Sequence, residues 1–395
     1  MLSVAQAQDR LLERATVLEA VATPLAEAAG RILRADAHAD RDSPPFDASA
    51  MDGFACRRAE LTGPLSIAGE SLPGQPFFGS IGRGQCVAIL TGAPVPAGLD
   101  CVVKQEDTAR EGSSVRVLRS DERNFIRRRG EDRRAGEMIV SAGTQLGAPE
   151  LAVLAAAGFV SPSVTRPVRC FHVALGDELV APSESPGPGA IRDTNSILIS
   201  SLLAGQGAAL AGQRRVGDNV DAIVRQLESL PEHDVLLISG GAGPGNRDPA
   251  RPLLRALGYS VVFDGANLRP GKPLNYASRG SRHAFAIPGN PVSHWVVFHL
   301  FIAPFLRALQ GHAAPRPVSV RGVLANFDFL PPPDPRPTYW PCRATISAGT
   351  PELSLLPIAS SGDATGLVGA NALLPLPGGA GTMQRGQPVD YFPCP

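Results

Sequence analysis

Carboxylates beside glycines recur along this 395-residue chain, at Asp52-Gly53, Gly176-Asp177-Glu178 and Gly217-Asp218, and again at Asp248, which ends the run Gly240-Gly241-Ala242-Gly243-Pro244-Gly245-Asn246-Arg247-Asp248. Glycine lets a backbone turn sharply or approach another chain segment, so each acid is presented from a fixed bend. Taken singly, each is an ordinary solvated turn residue. As a set they are hard oxygen donors, and Mg²⁺ needs only one or two of these when phosphate oxygens complete its shell. The glycine-rich run follows an apolar strand and opens a helix, where backbone N–H groups and the helix N-terminus attract an anion. Its spacing is neither a Walker loop nor G-x-G-x-x-G, and alone it reads equally well as a glycine turn. Acids and loop together are what a magnesium–pyrophosphate site requires.

Two stiff turns add to this set. Arg269-Pro270-Gly271-Lys272-Pro273 offers two cations in a fixed loop, suited to an oxyanion. Lysine occurs only at Lys104 and Lys272, every other one of the 37 basic residues being arginine, so Lys272 marks a place for a compact point charge. Pro288-Gly289-Asn290-Pro291-Val292-Ser293 caps a helix and leaves Ser293 and nearby N–H groups as donors, although turn chemistry alone explains it as well. Thr91 sits beside Gly92 in Thr91-Gly92-Ala93-Pro94, by itself a tight turn. The histidines show no metal-ligand spacing; His294 and His299 are read as structural residues on different helix faces.

The elements that must carry these residues change in texture along the chain. Residues 3–33 are expected to form two helices, the second starting at Thr23-Pro24 and ending near Arg31–Leu33. Residues 64–120 are short β-like runs broken by glycine and proline. A charged turn follows at Arg127–Asp132, then an apolar helix over Glu150–Gly158. From Val168 onward strands and helices alternate: strands at Arg169–Ala174, Ala209–Val216, Asp234–Ser239, Ser260–Phe263 and Ala284–Ile287, helices at Asn195–Gly205, Val220–Ser229, Pro249–Leu257 and Pro291–Leu309. That alternation predicts a mainly parallel sheet covered on both faces. Beyond the proline-rich breaks at Ala313–Pro317 and Pro331–Pro337, the remainder reads as a small β domain.

Composition bounds the rest. A chain this long divides into two to four domains. Its 42 glycines and 38 prolines call for many turns, and its zero net charge gives no footprint for nucleic acid or an anionic membrane. No apolar run approaches the roughly 20 residues of a membrane span, and the first twenty residues lack a signal-peptide pattern. Six scattered cysteines without a C-x-x-C pair fit a reduced, cytoplasmic compartment.

Together the runs PPFDASAMDGFA, LTGAPVPAGLDCVVKQED, RRRGED, GDEL with IRDTN, ISGGAGPGNRD, RPGKPL, IPGNPVS and GANALLPLP resemble the molybdopterin molybdenumtransferases, the MoeA family that includes the gephyrin E domain. They occur in the family's order over nearly the whole chain. The resemblance implies an α/β multidomain fold: an extended helical segment (1–42 and 137–167), a small β-rich inserted domain (43–136), an α/β molybdopterin-binding domain (168–313) and a C-terminal β domain (314–395). It implies Mg²⁺-dependent insertion of molybdate into adenylylated molybdopterin with release of AMP. It further implies a homodimer whose cleft lies between the α/β domain of one subunit and β domains of its partner, and transient contact with the molybdopterin-adenylating protein and molybdoenzymes. Motif by motif, catalytic roles fall on Asp52, Thr91, Asp132, Glu178, Asp218 and Lys272, and metal binding on Glu178, Asp218 and Asp248. Cofactor binding falls on Gly240, Gly241, Gly243, Gly245, Arg269, Lys272, Pro288, Asn290 and Ser293. The chain departs from the pattern at Gly265, where the family usually has a cation, at Asn246 in the glycine loop, at Ala174-Leu175 before Gly176, and at Tyr339–Arg343. A non-catalytic carrier or sensor of the cofactor, docking onto a partner, is the alternative these departures favour.

Overall fold

A computed structural model describes residues 1–217, 219–227, 230–241, 250–326, 333–379 and 383–394. The chain divides into two compact units, one of Met1–Arg34, Gly143–Leu146 and Pro162–Pro395, the other of Ala35–Ala142 and Gly147–Ser161.

At the centre of the first unit is a six-stranded sheet of β1 (Arg169–Leu175), β2 (Ala209–Val216), β3 (Val235–Ser239), β4 (Ser260–Asp264), β5 (Asn275–Arg279) and β6 (Arg282–Ile287), in the order β2-β1-β3-β6-β5-β4. The contiguous block β2-β1-β3-β6 is parallel, and β5 alone runs antiparallel to its neighbours β6 and β4. Alternating residues divide between two cores, as the period of two requires. Cys170, Val235, Leu237, Phe285 and Ile287 face helix Asn195–Gly205 and the long helix from Pro291. Phe171, Val173, Leu236, Ile238 and Ala284 face helices Val220–Leu227 and Ala250–Ala256. The strand β5 was not expected from the sequence, although Gly280-Ser281 between Arg279 and Arg282 is the short turn of a hairpin.

The long helix runs from Pro291 to Gln310 and takes a π-helical turn over Phe298–Ile302. It is long and apolar enough to cross a membrane, contrary to the reading of the sequence, but 89% of its apolar window is buried inside the protein, as for a core helix. Against it packs the N-terminal helix Val4–Leu12 through Val4, Ala7 and Leu11, its start fixed by a capping box between Ser3 and Gln6. The helices expected over 3–33 stop there. Thr16, Val17 and Val21 are β-branched and disfavour a helix, Ala20–Ala22 pairs instead with Ser163–Thr165, and Leu25–Glu27 makes only a 3₁₀ turn. The unit is completed by a closed five-stranded barrel of Val320–Asn326, Thr350–Leu355, Thr338–Ser347, Ala372–Leu376 and Pro388–Pro393 around Leu324, Cys342, Leu353 and Leu374.

The second unit holds a six-stranded sheet in the order Cys101–Lys104, Gly53–Cys56, Gln85–Ile89, Leu65–Ser71, Ser114–Val117 and Thr108–Glu111. Phe54, Cys56, Cys86 and Cys101 fill one face, and Ala55, Val87, Ile89 and Val102 the other. The helix Ala148–Ala156 also belongs to this unit. All six cysteines are free and buried.

Candidate active site

In open α/β sheets ligands bind beyond the carboxyl ends of the strands. Here the ends of β1, β3 and β6 open into a cavity of about 740 Å³. Its wall is built from Gly176 and Glu178 after β1, Thr194 and Asn195 at a helix start, Gly240 and Gly241 after β3, and Pro288 and Asn290 after β6. Backbone packs on backbone at its base, because a Cβ at Gly240 would fall 2.5 Å from the Leu175 carbonyl oxygen, and φ there is +91°. Glu178 folds back over Gly176, is exposed, and has no ion-pair partner among the described residues. The Asn195 amide donates to the Gly289 carbonyl at 2.6 Å, tying the helix start to the loop after β6.

A second cavity, of about 550 Å³, shares Pro273, Pro288 and Asn290 with the first. Arg269, Lys272 and Ser293 line it, as do Arg336, Ser360 and Ser361. Asp334 holds Arg336 through two bonds of 2.8 Å and lies 3.7 Å from Arg269. Their guanidinium groups hold the Asp334 carboxyl well below its ordinary range, Arg336 contributing most. Lys272 has no carboxylate partner among the described residues. Three cations against one carboxylate leave two positive charges here. The sequence reading reached Arg269, Lys272 and Ser293 but not Arg336, which sits in a stretch taken only as a proline-rich break, nor Ser360 and Ser361, which carry no spacing signal.

Below the first cavity lies a polar layer that the sequence does not announce. The Ser239 hydroxyl is 2.6 Å from Nε2 of His172 and 2.6 Å from Nε2 of His294, and Gln213 reaches Nδ1 of His172 at 3.0 Å. Both imidazoles are completely buried. Burial pushes His172 down to about 4 and His294 down to about 3, so both rings are neutral at pH 7. The bridge joins β1, β3 and the long helix directly beneath the glycines of the cavity. Replacing Ser239 with alanine leaves two buried ring nitrogens without that partner, which costs about 2–4 kcal/mol. Amide exchange across β3 and β6 is expected to accelerate accordingly, and unchanged protection would show that the bridge contributes nothing.

In the other unit, Asp52 and Thr91 come together. Oδ1 of Asp52 accepts from the Thr91 N–H and from the Thr91 hydroxyl, both at 2.7 Å, and these bonds lower its pKa, the backbone bond most. Asp52 is set by Gly53, where a Cβ would lie 1.9 Å from the Val103 carbonyl oxygen in the neighbouring strand. Asp132 is not part of that pair: it is bound by Arg127, while Arg128 and Arg129 hold Asp47 and Asp42 at 2.6 Å. These exposed pairs each contribute little energy but fix the loop that carries Asp52. Asp218, Gly243, Gly245 and Asp248 lie outside the described residues. Among the described residues no group of three or more His, Cys, Asp or Glu converges as a metal site.

Comparison with known proteins agrees with this architecture. Residues 2–158 match the MoeA N-terminal region (domain I and II), 172–308 a probable molybdopterin binding domain, and 327–394 the MoeA C-terminal region (domain IV). A molybdopterin molybdenumtransferase of Nostoc sp. is 33% identical over 93% of this chain and 87% of its own length. The Bacillus subtilis protein of the same name is 30% identical over 92% and 87%. The crystal structure of the molybdopterin biosynthesis moeA protein from Pyrococcus horikoshii OT3 superposes with a TM-score of 0.81 at 26% identity, covering 100% of both chains. The cavity at the strand ends, the cationic cavity beside it and these full-length matches have one explanation: the chain belongs to the molybdopterin molybdenumtransferase family, transferases of molybdenum cofactor biosynthesis.

Proposed function

We propose that this protein inserts molybdate into adenylylated molybdopterin in a Mg²⁺-dependent step that releases AMP. The observation that carries the reading is the pair of adjoining cavities. One is walled by glycine backbone and the Glu178 carboxylate, the other by Lys272, Arg269, Arg336 and Ser293. In this reading the larger cavity takes the pterin and its phosphoanhydride, with Gly240 and Gly241 against the phosphate, and the cationic one takes the molybdate dianion. Pro288 and Asn290, common to both, place the two reactants side by side, which converts an encounter into a positioned reaction.

Glu178 is a hard oxygen donor with no ion-pair partner among the described residues, although Arg192 lines the same cavity, and this fits Mg²⁺ chemistry; Asp218 and Asp248 are assigned to the same ion from the sequence. The ion would supply charge neutralisation on the departing AMP. Asp52, whose carboxylate accepts two hydrogen bonds from Thr91, remains an anion, and Asp132 orders the arginine turn. The reading includes the four-domain division given above, a cytoplasmic homodimer completing the cleft, and passing contact with the molybdopterin-adenylating protein and molybdoenzymes.

The test is single-turnover AMP release from adenylylated molybdopterin, with Mg²⁺ and molybdate added or withheld. Release that needs both is expected. Tight binding without release would assign the protein as a carrier instead. Putting back a lysine at Gly265 is not expected to improve turnover. Gly265 has φ +81° and a Cβ there would lie 3.1 Å from the Lys272 carbonyl oxygen, so the substitution costs ~1–2 kcal/mol of backbone strain and displaces Lys272. A faster G265K variant would refute that.

A further inference from the structure

The polar layer beneath the larger cavity ends at the loop Pro288–Asn290, which lines that cavity and reaches into its neighbour. The Asn195 amide holds the Gly289 carbonyl of this loop at 2.6 Å, and the His294 N–H holds that of Asn290 at 3.0 Å. Burial lowers the pKa of the His294 ring most, and the carbonyls of Asn290 and Pro288 pull it the other way. The Nε2 of this ring is already taken by Ser239, so the carbonyls meet it at Nδ1.

Nδ1 of His294 is shielded and makes no well-formed hydrogen bond, so what it faces decides whether it carries the proton. A carbonyl oxygen only accepts. A bare lone pair at Nδ1 is repelled by both carbonyls, whereas an N–H is attracted to them. With its proton on Nδ1, neutral His294 presents Nε2 as an acceptor, and the Ser239 hydroxyl donates to it across 2.6 Å. The same oxygen then accepts from Nε2–H of His172, also at 2.6 Å. That leaves Nδ1 of His172 as an acceptor for the Gln213 amide at 3.0 Å. The Ser196 hydroxyl, 3.5 Å from that nitrogen, does not compete as a donor because it donates to Asp193. Every link runs one way, from Gln213 on β2 to the loop after β6.

The direction matters at the cavity. In a planar trans peptide, such as the one between Pro288 and Gly289, the C=O and the following N–H point to opposite sides. A Pro288 carbonyl drawn down to His294 therefore turns the Gly289 N–H up, and that N–H donates to no acceptor among the described residues. We propose that Ser239 and His294 are positioning residues, holding the Pro288 carbonyl so that the Gly289 N–H is aimed at a phosphate oxygen of the bound substrate. The inference rests on the reading of the larger cavity as the phosphoanhydride site.

The first test needs neither turnover nor a variant. Long-range proton–nitrogen spectra of the histidine-labelled whole protein at pH 7 are expected to show His294 as the Nδ1–H tautomer and His172 as the Nε2–H tautomer. His294 found charged, or with its proton on Nε2, overturns the proposal. The second test compares His294→Asn with His294→Gln in Kd for adenylylated molybdopterin, measured without molybdate. Asparagine keeps an N–H where Nδ1 stood, so its Kd is expected to stay within about threefold of the unmutated protein. Glutamine puts its amide at the Nε2 position instead and is expected to weaken binding about tenfold, as the loss of one hydrogen bond does. Packing alone predicts the reverse order, because glutamine fills more of the vacated space. Equal affinities, or a tighter His294→Gln variant, overturn the positioning role. Both results without any AMP release would sink the proposed reaction and leave the positioning role standing.

Discussion

Replacing Lys272 with methionine is expected to slow molybdate-dependent AMP release about 100-fold, the loss of one preorganised electrostatic contact in a catalytic site being about 10²–10³. The expectation follows from charge. Around the second cavity Arg336 is committed to Asp334 by two short bonds, and Arg269 lies 3.7 Å from the same carboxylate. Lys272 is the cation without such an offset among the described residues. Methionine keeps most of the length of the side chain and removes the charge, leaving a site with one net positive charge to meet a dianion. Arginine at the same position keeps the charge but changes its shape, so K272R should recover part of the rate and only at raised molybdate. The diagnostic is the split between parameters: the molybdate concentration for half-maximal rate rises steeply, while affinity for the adenylylated pterin in the larger cavity changes less than threefold. A K272M variant with unaltered molybdate dependence would remove the oxyanion assignment from this cavity.

Much of this arrangement was legible in the sequence because local signals and tertiary demands agree. The strand expected at Ala209–Val216 and the helix at Asn195–Gly205 appear with the same limits, each closed by a glycine, Gly217 and Gly205. Arg269, Lys272, Pro288, Asn290 and Ser293 line one cavity together, as stiff turns at adjacent strand ends permit. The failures have a common origin in long-range pairing. Ala20–Ala22 is a strand only because Ser163–Thr165 lies beside it, far along the chain. Arg336 enters the cationic cavity through the barrel, and no spacing in the sequence ties it to Lys272. Both His294 and His299 were read as structural. The first is that and also more, since its bond to Ser239 is made across 55 residues and supports the cavity base. The π-turn that carries His299 is invisible to a pattern search that assumes 3.6 residues per turn.

The buried histidines make the first unit acid-labile well above the range where carboxylates titrate. His172, His283 and His299 are pushed down to about 4, and His294 to about 3, in each case chiefly by burial. For His299 the charge of Arg307 adds to this, and for His294 that of His172, while Asp234 pulls His283 slightly the other way. The sign follows from proton counting. Above the unfolded value of about 6.5 both states are neutral at these positions and stability does not depend on them. Between about 6.5 and about 4 the unfolded chain binds protons that the folded protein refuses, so stability falls as pH falls, by about 1.4 kcal/mol per pH unit for each histidine. At pH 5 four such residues together remove about 8 kcal/mol, comparable with the whole stability of an ordinary domain. Urea unfolding followed by tryptophan fluorescence, from Trp340 and from Trp295, whose ring lies 4.6 Å from that of His299, should therefore show the midpoint dropping sharply between pH 7 and pH 5.5. His299→Phe is the informative variant. The Nε2 of His299 has no bond to lose, so the substitution removes one proton from the linkage, flattens the slope and stabilises the protein at pH 5 by about 2 kcal/mol. A slope unchanged by His299→Phe would mean that the imidazole titrates alike in the folded and unfolded protein, and that burial does not hold it neutral.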